Sequence, residues 1–270
     1  MDILIGKIEA ITREAAKIFK ERTFEIIYKE GYEDIVTSTD LKIQQFLCKQ
    51  LKMLIPDCGF ICEEENINDS QNKEFVWVID PIDGTTNYAR GISESCISVA
   101  LMHNNEVVIG VVYNPNKDEM FSARKGGGAL LNGEPISVSQ RSFENSILCT
   151  AMCVYEKRHA KLCSDIIYDA YMACNDVRRF GSCALELCYL AMGVCELYFE
   201  FKVKPWDYAA GYLILTEAGG VLTGFEDEVL KLNTPSLLVG ANNKDNHKIL
   251  MSYVTKHINL NEHNYEWRKW

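Results

Sequence analysis

Residues 77–87 have the sequence Trp-Val-Ile-Asp-Pro-Ile-Asp-Gly-Thr-Thr-Asn, in which an apolar segment leads into two aspartates, a glycine and two threonines. Its apolar start predicts a buried strand that ends at Asp80, because the proline that follows lacks the N–H that a sheet requires. Asp83 comes three residues later, so both carboxylates are expected in one loop at the end of the strand. Gly84 allows unusual backbone angles, and a helix that begins near Thr85 would offer its free amides to a phosphate. Taken alone, the motif is equally compatible with a polar turn.

Two other segments place acidic residues where chain elements begin or end. Residues 63–65 are three glutamates that directly follow a short apolar strand, predicted at residues 60–62. Asp207 lies just after Pro205 at the predicted start of a helix, where a carboxylate complements the positive end of the helix dipole. Read singly, the first segment is typical of a solvated turn and the second of a helix cap. Carboxylates that converge in a loop suit magnesium, which commonly shares a phosphate of the substrate.

The composition is that of an acidic globular protein. The chain has 270 residues, of which 47% are hydrophobic and 24% charged, and its formal net charge is −10. Nucleic acid is not an expected partner, because binding to its phosphates needs a basic surface. A phosphorylated substrate would need local neutralisation, which bound divalent cations supply. No apolar run is long enough to span a membrane and the first 20 residues do not resemble a signal peptide, so a cytoplasmic protein without a membrane partner is expected.

Eleven cysteines raise the alternative of a disulfide or zinc framework. They include no C-x-x-C pair, and the five histidines show no H-x-H or H-x-x-x-H spacing. Cysteines that are scattered through the apolar segments of a chain without a secretion signal are typical of reduced, buried thiols. The sequence therefore favours free cysteines.

The order of the predicted elements indicates a layered α+β architecture. Apolar spacing predicts a helix within residues 2–29 and a second helix soon after it, and the strands that follow form an antiparallel sheet with a hairpin turn at Asn104-Asn105. Strands then alternate with helices. We expect an N-terminal α+β half in residues 1–138 and a C-terminal α/β half in residues 139–270, which act as one continuous unit.

Together these segments resemble the inositol monophosphatase family. Its first signature is present as residues 80–87, Asp-Pro-Ile-Asp-Gly-Thr-Thr-Asn, and its second as residues 206–220, Trp-Asp-Tyr-Ala-Ala-Gly-Tyr-Leu-Ile-Leu-Thr-Glu-Ala-Gly-Gly. Both signatures are long and stand in the expected order, and the resemblance extends from the Thr37-Ser-Thr-Asp40 segment to about Gly240. It implies a layered αβαβα sugar-phosphatase fold.

The resemblance also implies a role for each matching residue. The metal ligands for two or three Mg²⁺ ions would be Glu63, Asp80, the backbone carbonyl of Ile82, Asp83 and Asp207. The catalytic residues would be Glu63, Thr85, Asp40 and Asp83, with Glu63 and Thr85 orienting the attacking water. The substrate would contact Gly84, Thr85, Gly181, Ser182, Cys183, Glu200 and Asp207. Two residues would support the site from outside it, Glu64 and Lys29.

Three positions depart from the family pattern. Cys62 replaces the usual glycine before Glu63, and residues 153–154 lack the polar side chain that the family often places near the substrate. Cys183 replaces a small residue in the wall of the substrate site. These departures leave the metal ligands intact and concern the identity of the alcohol.

The expected activity is magnesium-dependent hydrolysis of a small phosphorylated polyol, first of all inositol monophosphate, with inhibition by lithium. Relatives of the same fold hydrolyse fructose 1,6-bisphosphate, histidinol phosphate or nucleotide 3′-phosphates, so these compounds are alternative substrates. Thr86-Asn87-Tyr88 resembles the inositol-phosphatase members more than the nucleotide phosphatases. A non-catalytic binding protein that retained the fold is a rival from another class. A mononucleotide P-loop at residues 124–128 is excluded, because it lacks the Gly-Lys-Ser/Thr ending. The family resemblance also implies a homodimer.

Overall fold

The N-terminal helices and a small hairpin form one outer layer of the molecule. The computed structural model describes residues 2–22, 24–28, 35–64, 67–153, 156–225, 228–230 and 236–260. The helices are α1 (Asp2–Lys20) and α2 (Ser38–Leu54), and strands β1 (Ile26–Tyr28) and β2 (Ile35–Thr37) pair antiparallel. The prediction of a helix within residues 2–29 is therefore right only as far as Lys20. Residues 26–28 form β1 instead, in which the Ile-Ile-Tyr run pairs with β2.

The second layer is a sheet of seven strands. In chain order they are β3 (Cys58–Cys62), β4 (Phe75–Asp83), β5 (Cys96–His103), β6 (Glu106–Asn114), β7 (Glu119–Arg124), β8 (Ala129–Leu131) and β9 (Glu134–Ile136), and they lie side by side in that same order. β3 and β4 run parallel, and every later neighbour is antiparallel. The predicted hairpin turn is confirmed, since Asn104 and Asn105 both have positive φ, 51° and 66°.

Strand β4 continues to Asp83, beyond the residue at which the sequence predicted its end. Its pairing with β5 shifts register between Asp80, opposite Ser98, and Asp83, opposite Cys96. Two residues of β4 thus face one residue of β5, which is a bulge that accommodates a proline within a sheet. The two aspartates consequently lie on an irregular strand end rather than in a free loop, and they are only 1% and 8% exposed. A short helix, α3 (Thr85–Arg90), follows at once, as predicted.

The two faces of this sheet are covered differently, in agreement with the alternation of side chains along β4. Trp77 and Ile79 join the core under α1 and α2, whereas Val76 and Val78 join the core on the opposite face. That opposite core contains the third layer, helices α5 (Cys183–Ala191) and α6 (Pro205–Glu217). Both faces of the sheet are therefore buried.

A second sheet and two outer helices complete the C-terminal half. The strands are β10 (Ile147–Thr150), β11 (Asp176–Arg178), β12 (Leu197–Val203), β13 (Val221–Thr223) and β14 (Ser236–Ala241), in the spatial order β11-β10-β12-β14-β13. α4 (Ala160–Tyr171) and α7 (Lys244–Leu260) share a core with the outer face of this sheet. The predicted αβαβα layering is thereby confirmed. The boundary at residues 138 and 139 stays a prediction, and the middle helices share one core with strands of both sheets.

The cysteines and helices agree with two simpler predictions. All eleven cysteines are free thiols, and nine of them are buried. None of the helices in the described ranges combines the length and the apolar character that crossing a bilayer requires.

Candidate active site

A cavity of about 510 Å³ lies where the end of β4 meets the first turns of α5 and α6. Its lining brings together residues from both sequence signatures. The predicted site residues that line it are Glu63, Asp80, Ile82, Asp83, Gly84, Thr85, Gly181, Ser182, Cys183, Glu200 and Asp207. Asp40 and Glu64 are buried beside this lining, and Lys29 lies outside the described residues.

Two of the predicted ligands are aspartates that local backbone geometry aims at the cavity. Asp80 Oδ1 accepts a hydrogen bond from the N–H of Ile82 at 3.0 Å, across the bulge of β4. Asp207 is the third residue of α6, and its Oδ2 accepts from the N–H of Lys204 at 2.9 Å. This is the reach-back of a helix capping box. The interpretation of Asp207 as a helix cap is thus confirmed, and the same residue lines the cavity.

The acidic residues of the cavity repel one another. Burial, together with the charges of Glu63, Asp83 and Asp207, raises the pKa of Asp80 well above its usual value. Burial raises the pKa of Asp207 in the same way, and Asp83 and Glu63 add to the effect. Carboxylates that are desolvated this completely need compensating positive charge if they are to stay ionised.

Asp83 joins the two halves of the chain. Its Oδ2 accepts hydrogen bonds from Ser182 Oγ at 2.6 Å and from the N–H of Ala184 at 2.7 Å, in the first turn of α5. Burial raises the pKa of Asp83 to about 6, against the lowering effect of these donors. The carboxylate therefore caps α5 from the end of β4 and fixes the width of the cavity between them.

Asp40 and Thr85 form a second contact between distant segments. Thr85 Oγ1 lies 2.9 Å from the carbonyl oxygen of Ile82 and 3.4 Å from Asp40 Oδ1. The other oxygen of Asp40 accepts from the N–H and the hydroxyl of Thr37 in the capping box of α2. Burial, with a contribution from the charge of Glu63, raises the pKa of Asp40 to about 7.

Glu63 and Glu64 are positioned by the turn that follows β3. The N–H of Glu63 donates to the carbonyl of Ile79 at 3.2 Å, which prolongs the pairing of β3 with β4. The backbone of Glu64 exchanges two hydrogen bonds with the side-chain amide of Gln44, at 2.9 and 3.0 Å. The side chain of Gln44 therefore anchors the turn to α2, and the cysteine at position 62 is accommodated with no exposed surface.

Gly84 is required at its position for two independent reasons. Its φ of 84° is in the left-handed region, where a side chain is strained. A Cβ atom would also lie 2.9 Å from the carbonyl oxygen of Glu94 and 3.1 Å from that of Gly181. The first signature can therefore approach the loop before α5 only because residue 84 is glycine.

The far wall of the cavity holds residues predicted to meet the organic part of the substrate. Ser182 caps α5, and Cys183 begins it with only 8% of its surface exposed. Glu200 accepts a hydrogen bond from the hydroxyl of Tyr198, and burial raises the pKa of Glu200 to about 7. A carboxyl group at such a pKa both donates to and accepts from hydroxyl groups near neutral pH.

Ten lining residues were not predicted as site residues, and four of them carry a charged group or a side-chain amide. These four are Asn87, Arg90, Arg179 and Glu186. Asn87 was visible in the first signature, but no sequence signal showed that its side chain reaches two backbone carbonyls, those of Glu94 and Phe180. Such contacts depend on tertiary structure alone.

The donor set fits a divalent cation. Carboxylate oxygens of Glu63, Asp80, Asp83 and Asp207 border one cavity, and carboxylates are the ligands that Mg²⁺ prefers in proteins. Among the described residues, no three His, Cys, Asp or Glu side chains already form a closed ligand group. The raised pKa of Asp80, which burial and the neighbouring acidic groups cause, shows that positive charge is needed for all of these carboxylates to be ionised together.

We expect the chelated protein to be less heat-stable at about pH 8 than at about pH 5. The folded-state pKa values of Asp83, Asp40 and Glu200, about 6, 7 and 7, lie above the ordinary value of a carboxyl group. The folded protein thus binds more protons than the unfolded chain between about pH 4 and pH 7, and stability falls as the pH rises through this window. Unfolding temperatures in chelator across this range test the prediction, which a flat profile would contradict.

The family to which this chain belongs follows from its similarity to known proteins. Residues 2–259 match the sequence profile described as "Inositol monophosphatase family". The chain belongs to the inositol monophosphatase family. The chain is 37% identical over 198 residues to the Nus factor SuhB of Vibrio cholerae. The aligned region covers 73% of this chain and 74% of that relative.

Solved structures of the inositol monophosphatase family superpose over almost the whole chain. An IMPase of Thermotoga maritima has a TM-score of 0.85 and 30% identity, and the match covers 96% of this chain and 99% of that one. The extragenic suppressor protein suhB of Bartonella henselae has a TM-score of 0.84 and 28% identity, with 95% and 98% covered. The predicted family and fold are therefore confirmed.

Proposed function

We propose that this protein is a magnesium-dependent phosphatase that hydrolyses a small phosphorylated polyol, with inositol monophosphate as its first substrate. The observation that carries the proposal is the cluster of mutually repelling buried carboxylates in one cavity, together with membership of the inositol monophosphatase family. Positive charge that satisfies these carboxylates would also attract a phosphate into an otherwise acidic protein. Bound cations would therefore allow a protein with a net charge of −10 to bind a negatively charged substrate.

The residues that would hold two or three Mg²⁺ ions are Glu63, Asp80, the carbonyl of Ile82, Asp83 and Asp207. When bound, magnesium neutralises the phosphate, lowers the pKa of the attacking water and stabilises the leaving alkoxide. The amides of Gly84 and Thr85 stand at the beginning of α3 and would donate to phosphate oxygens.

Glu63 and Thr85 would position the attacking water. A hydroxyl has one hydrogen and two lone pairs, so Thr85 donates to Ile82 or Asp40 and still accepts from a water. The same water would donate its second hydrogen to the carboxylate of Glu63, which then takes the proton as the oxygen attacks phosphorus. The leaving alkoxide would take up one proton from water, and the products are the free alcohol and phosphate.

The substrate preference rests on the far wall of the cavity. Glu200 and the loop of residues 181–183 present a carboxyl, a hydroxyl and backbone groups to the organic part of the substrate. These groups suit the several hydroxyls of a polyol or sugar ring. Fructose 1,6-bisphosphate, histidinol phosphate and a nucleotide 3′-phosphate remain alternative substrates.

A phosphate-release panel tests the proposal. Inositol 1-phosphate, fructose 1,6-bisphosphate, histidinol phosphate and adenosine 3′,5′-bisphosphate are each incubated with Mg²⁺, with Mg²⁺ and lithium, and with a chelator. We expect the fastest release from inositol 1-phosphate, inhibition by lithium and no release in chelator. Full activity in chelator would refute the metal assignment, and preference for another phosphate would replace the substrate.

Two expectations about partners remain predictions. The expectation that nucleic acid is not a partner stays a prediction, because the relative in Vibrio cholerae is named Nus factor SuhB. The expected homodimer and the cytoplasmic location also await measurement.

A further inference from the structure

The cavity wall nearest the start of α5 is a loop of residues 180–182, which we call the substrate loop. Gly181 within it has a φ of 81°, a conformation that only glycine adopts without strain. Asn87 holds the loop from the side of β4, with Nδ2 lying 2.6 Å from the carbonyl oxygen of Phe180 and 2.6 Å from that of Glu94. The conformation of the loop is thus imposed from outside it.

Glu186 holds the same loop from the side of α5. Its Oε1 accepts hydrogen bonds from the N–H groups of Phe180, at 2.6 Å, and Gly181, at 3.0 Å. Burial raises the pKa of Glu186 well above its usual value, while these two amide donors lower it. Oε1 accepts both hydrogen bonds whether or not the carboxyl group carries a proton, which would be on Oε2. The two amides therefore have one common acceptor, which lies on a rigid helix.

A carboxyl group at position 186 is costly for the fold. The side chain is 1% exposed, and Oε2 has no hydrogen-bond partner among the described residues. Its neighbours in the helix, Leu185 and Leu187, belong to the apolar middle layer. Burial first, and then the charge of Glu200, oppose its ionisation. A leucine would serve helix packing better, so packing does not explain the glutamate.

We propose that Glu186 is a positioning residue, which sets the substrate loop in the conformation that meets the organic part of the substrate. The inference rests on the proposed phosphatase function. Glu186 acts through the loop amides and has no role in water activation, because Thr85 and Asp80 are held by α3 and β4 instead. Its loss should consequently weaken substrate binding more than it slows turnover.

The first test is the kinetics of two variants on inositol 1-phosphate. Glu186→Gln keeps the volume and an acceptor oxygen but places an amide nitrogen where Oε2 lies without a hydrogen-bond partner among the described residues, and we expect KM to rise about threefold. Glu186→Leu removes the acceptor, and we expect KM to rise about tenfold to a hundredfold, as the loss of two hydrogen bonds implies. We expect kcat to stay within about threefold in both variants. An unchanged KM in Glu186→Gln and Glu186→Leu, or a fall in kcat alone, would overturn the inference.

The second test is amide hydrogen exchange of the substrate loop, which requires no activity. In Glu186→Gln the amides of Phe180 and Gly181 should exchange severalfold faster than in the wild-type protein, while the amides of β4 and β5 keep their protection. Unchanged exchange at both amides would refute the inference, and so would an equal loss of protection throughout the molecule. Because Glu186→Gln is isosteric, this measurement decides the matter even if Glu186→Leu does not fold.

Glu196→Gln is the matched control. Glu196 is also 1% exposed, and its Oε2 also accepts from a backbone amide, that of Ile147 at 2.8 Å. Its Oε1 accepts from Arg141 at 2.7 Å and from Ser139 at 2.8 Å, and the residue does not line the cavity. We expect its variant to keep the wild-type KM and loop exchange. If the wild-type protein releases no phosphate from any substrate, the proposed function fails, whereas the exchange experiment still shows whether Glu186 holds the loop.

Discussion

Asp80→Asn should lower phosphate release by more than about a thousandfold and leave the metal-free protein at least as stable as the wild type. The amide keeps the oxygen that accepts from Ile82 but loses the charge that would bind Mg²⁺. A loss of about 4 kcal/mol of transition-state stabilisation corresponds to about a thousandfold in rate. Stability should change in the opposite direction, because the carboxylate is buried among Glu63, Asp83 and Asp207.

Two measurements check this prediction. Phosphate release in Mg²⁺ gives the loss of activity, and thermal unfolding in chelator gives the change in stability, for which about 1 kcal/mol corresponds to about 2–4 °C. Asp118→Asn serves as the control, because Asp118 forms an exposed ion pair with Arg13, of a kind that contributes little to stability. Near-normal turnover by Asp80→Asn would exclude Asp80 as a metal ligand, and an unfolding temperature several degrees lower would contradict the electrostatic account of the cavity.

Gly110→Ala should destabilise the protein by about 3 kcal/mol and reduce its activity at the same time. A Cβ atom on Gly110 of β6 would lie 2.7 Å from the carbonyl oxygen of Ala210 and 3.1 Å from its Cα. These are backbone atoms of α6, so the helix itself would have to move, and overpacking of this kind costs about 1–3 kcal/mol. The same helix carries Asp207 one turn earlier, so the movement would displace a proposed ligand.

Thermal unfolding and phosphate release on the same preparation test this coupling. We expect the unfolding temperature to fall by about 10 °C, since about 3 kcal/mol is lost. Gly6→Ala is the matched control, because a Cβ atom there meets nothing within 4 Å and lies in α1, where alanine stabilises a helix relative to glycine. A Gly110→Ala protein with wild-type stability would show that β6 and α6 are less closely packed than described.

Local patterns in the sequence predicted most of the elements but misplaced two of their ends. The Asn-Asn pair at residues 104–105 predicted a hairpin correctly, because such turns depend on the φ preferences of their own residues. β4 was predicted to end at Asp80 but continues for three residues to Asp83, because the bulge at Pro81 depends on the partner strand β5. The end of α1 was missed for a similar reason, since β1 exists only through its pairing with β2.

The family, the order of the layers and the acidic residues that surround the cavity could all be predicted before the structure. These follow from two long signatures and from apolar periodicity, which are properties of consecutive residues. Tertiary structure alone decided that Asp83 caps α5, that Asn87 and Glu186 hold the substrate loop, and that Gly110 sets the distance of α6 from β6. Each of these contacts joins residues that are distant in the chain, or it forms only after a turn has adopted its final conformation. Such contacts leave no local pattern, because their energy comes from packing and hydrogen bonds that exist only after the chain has folded.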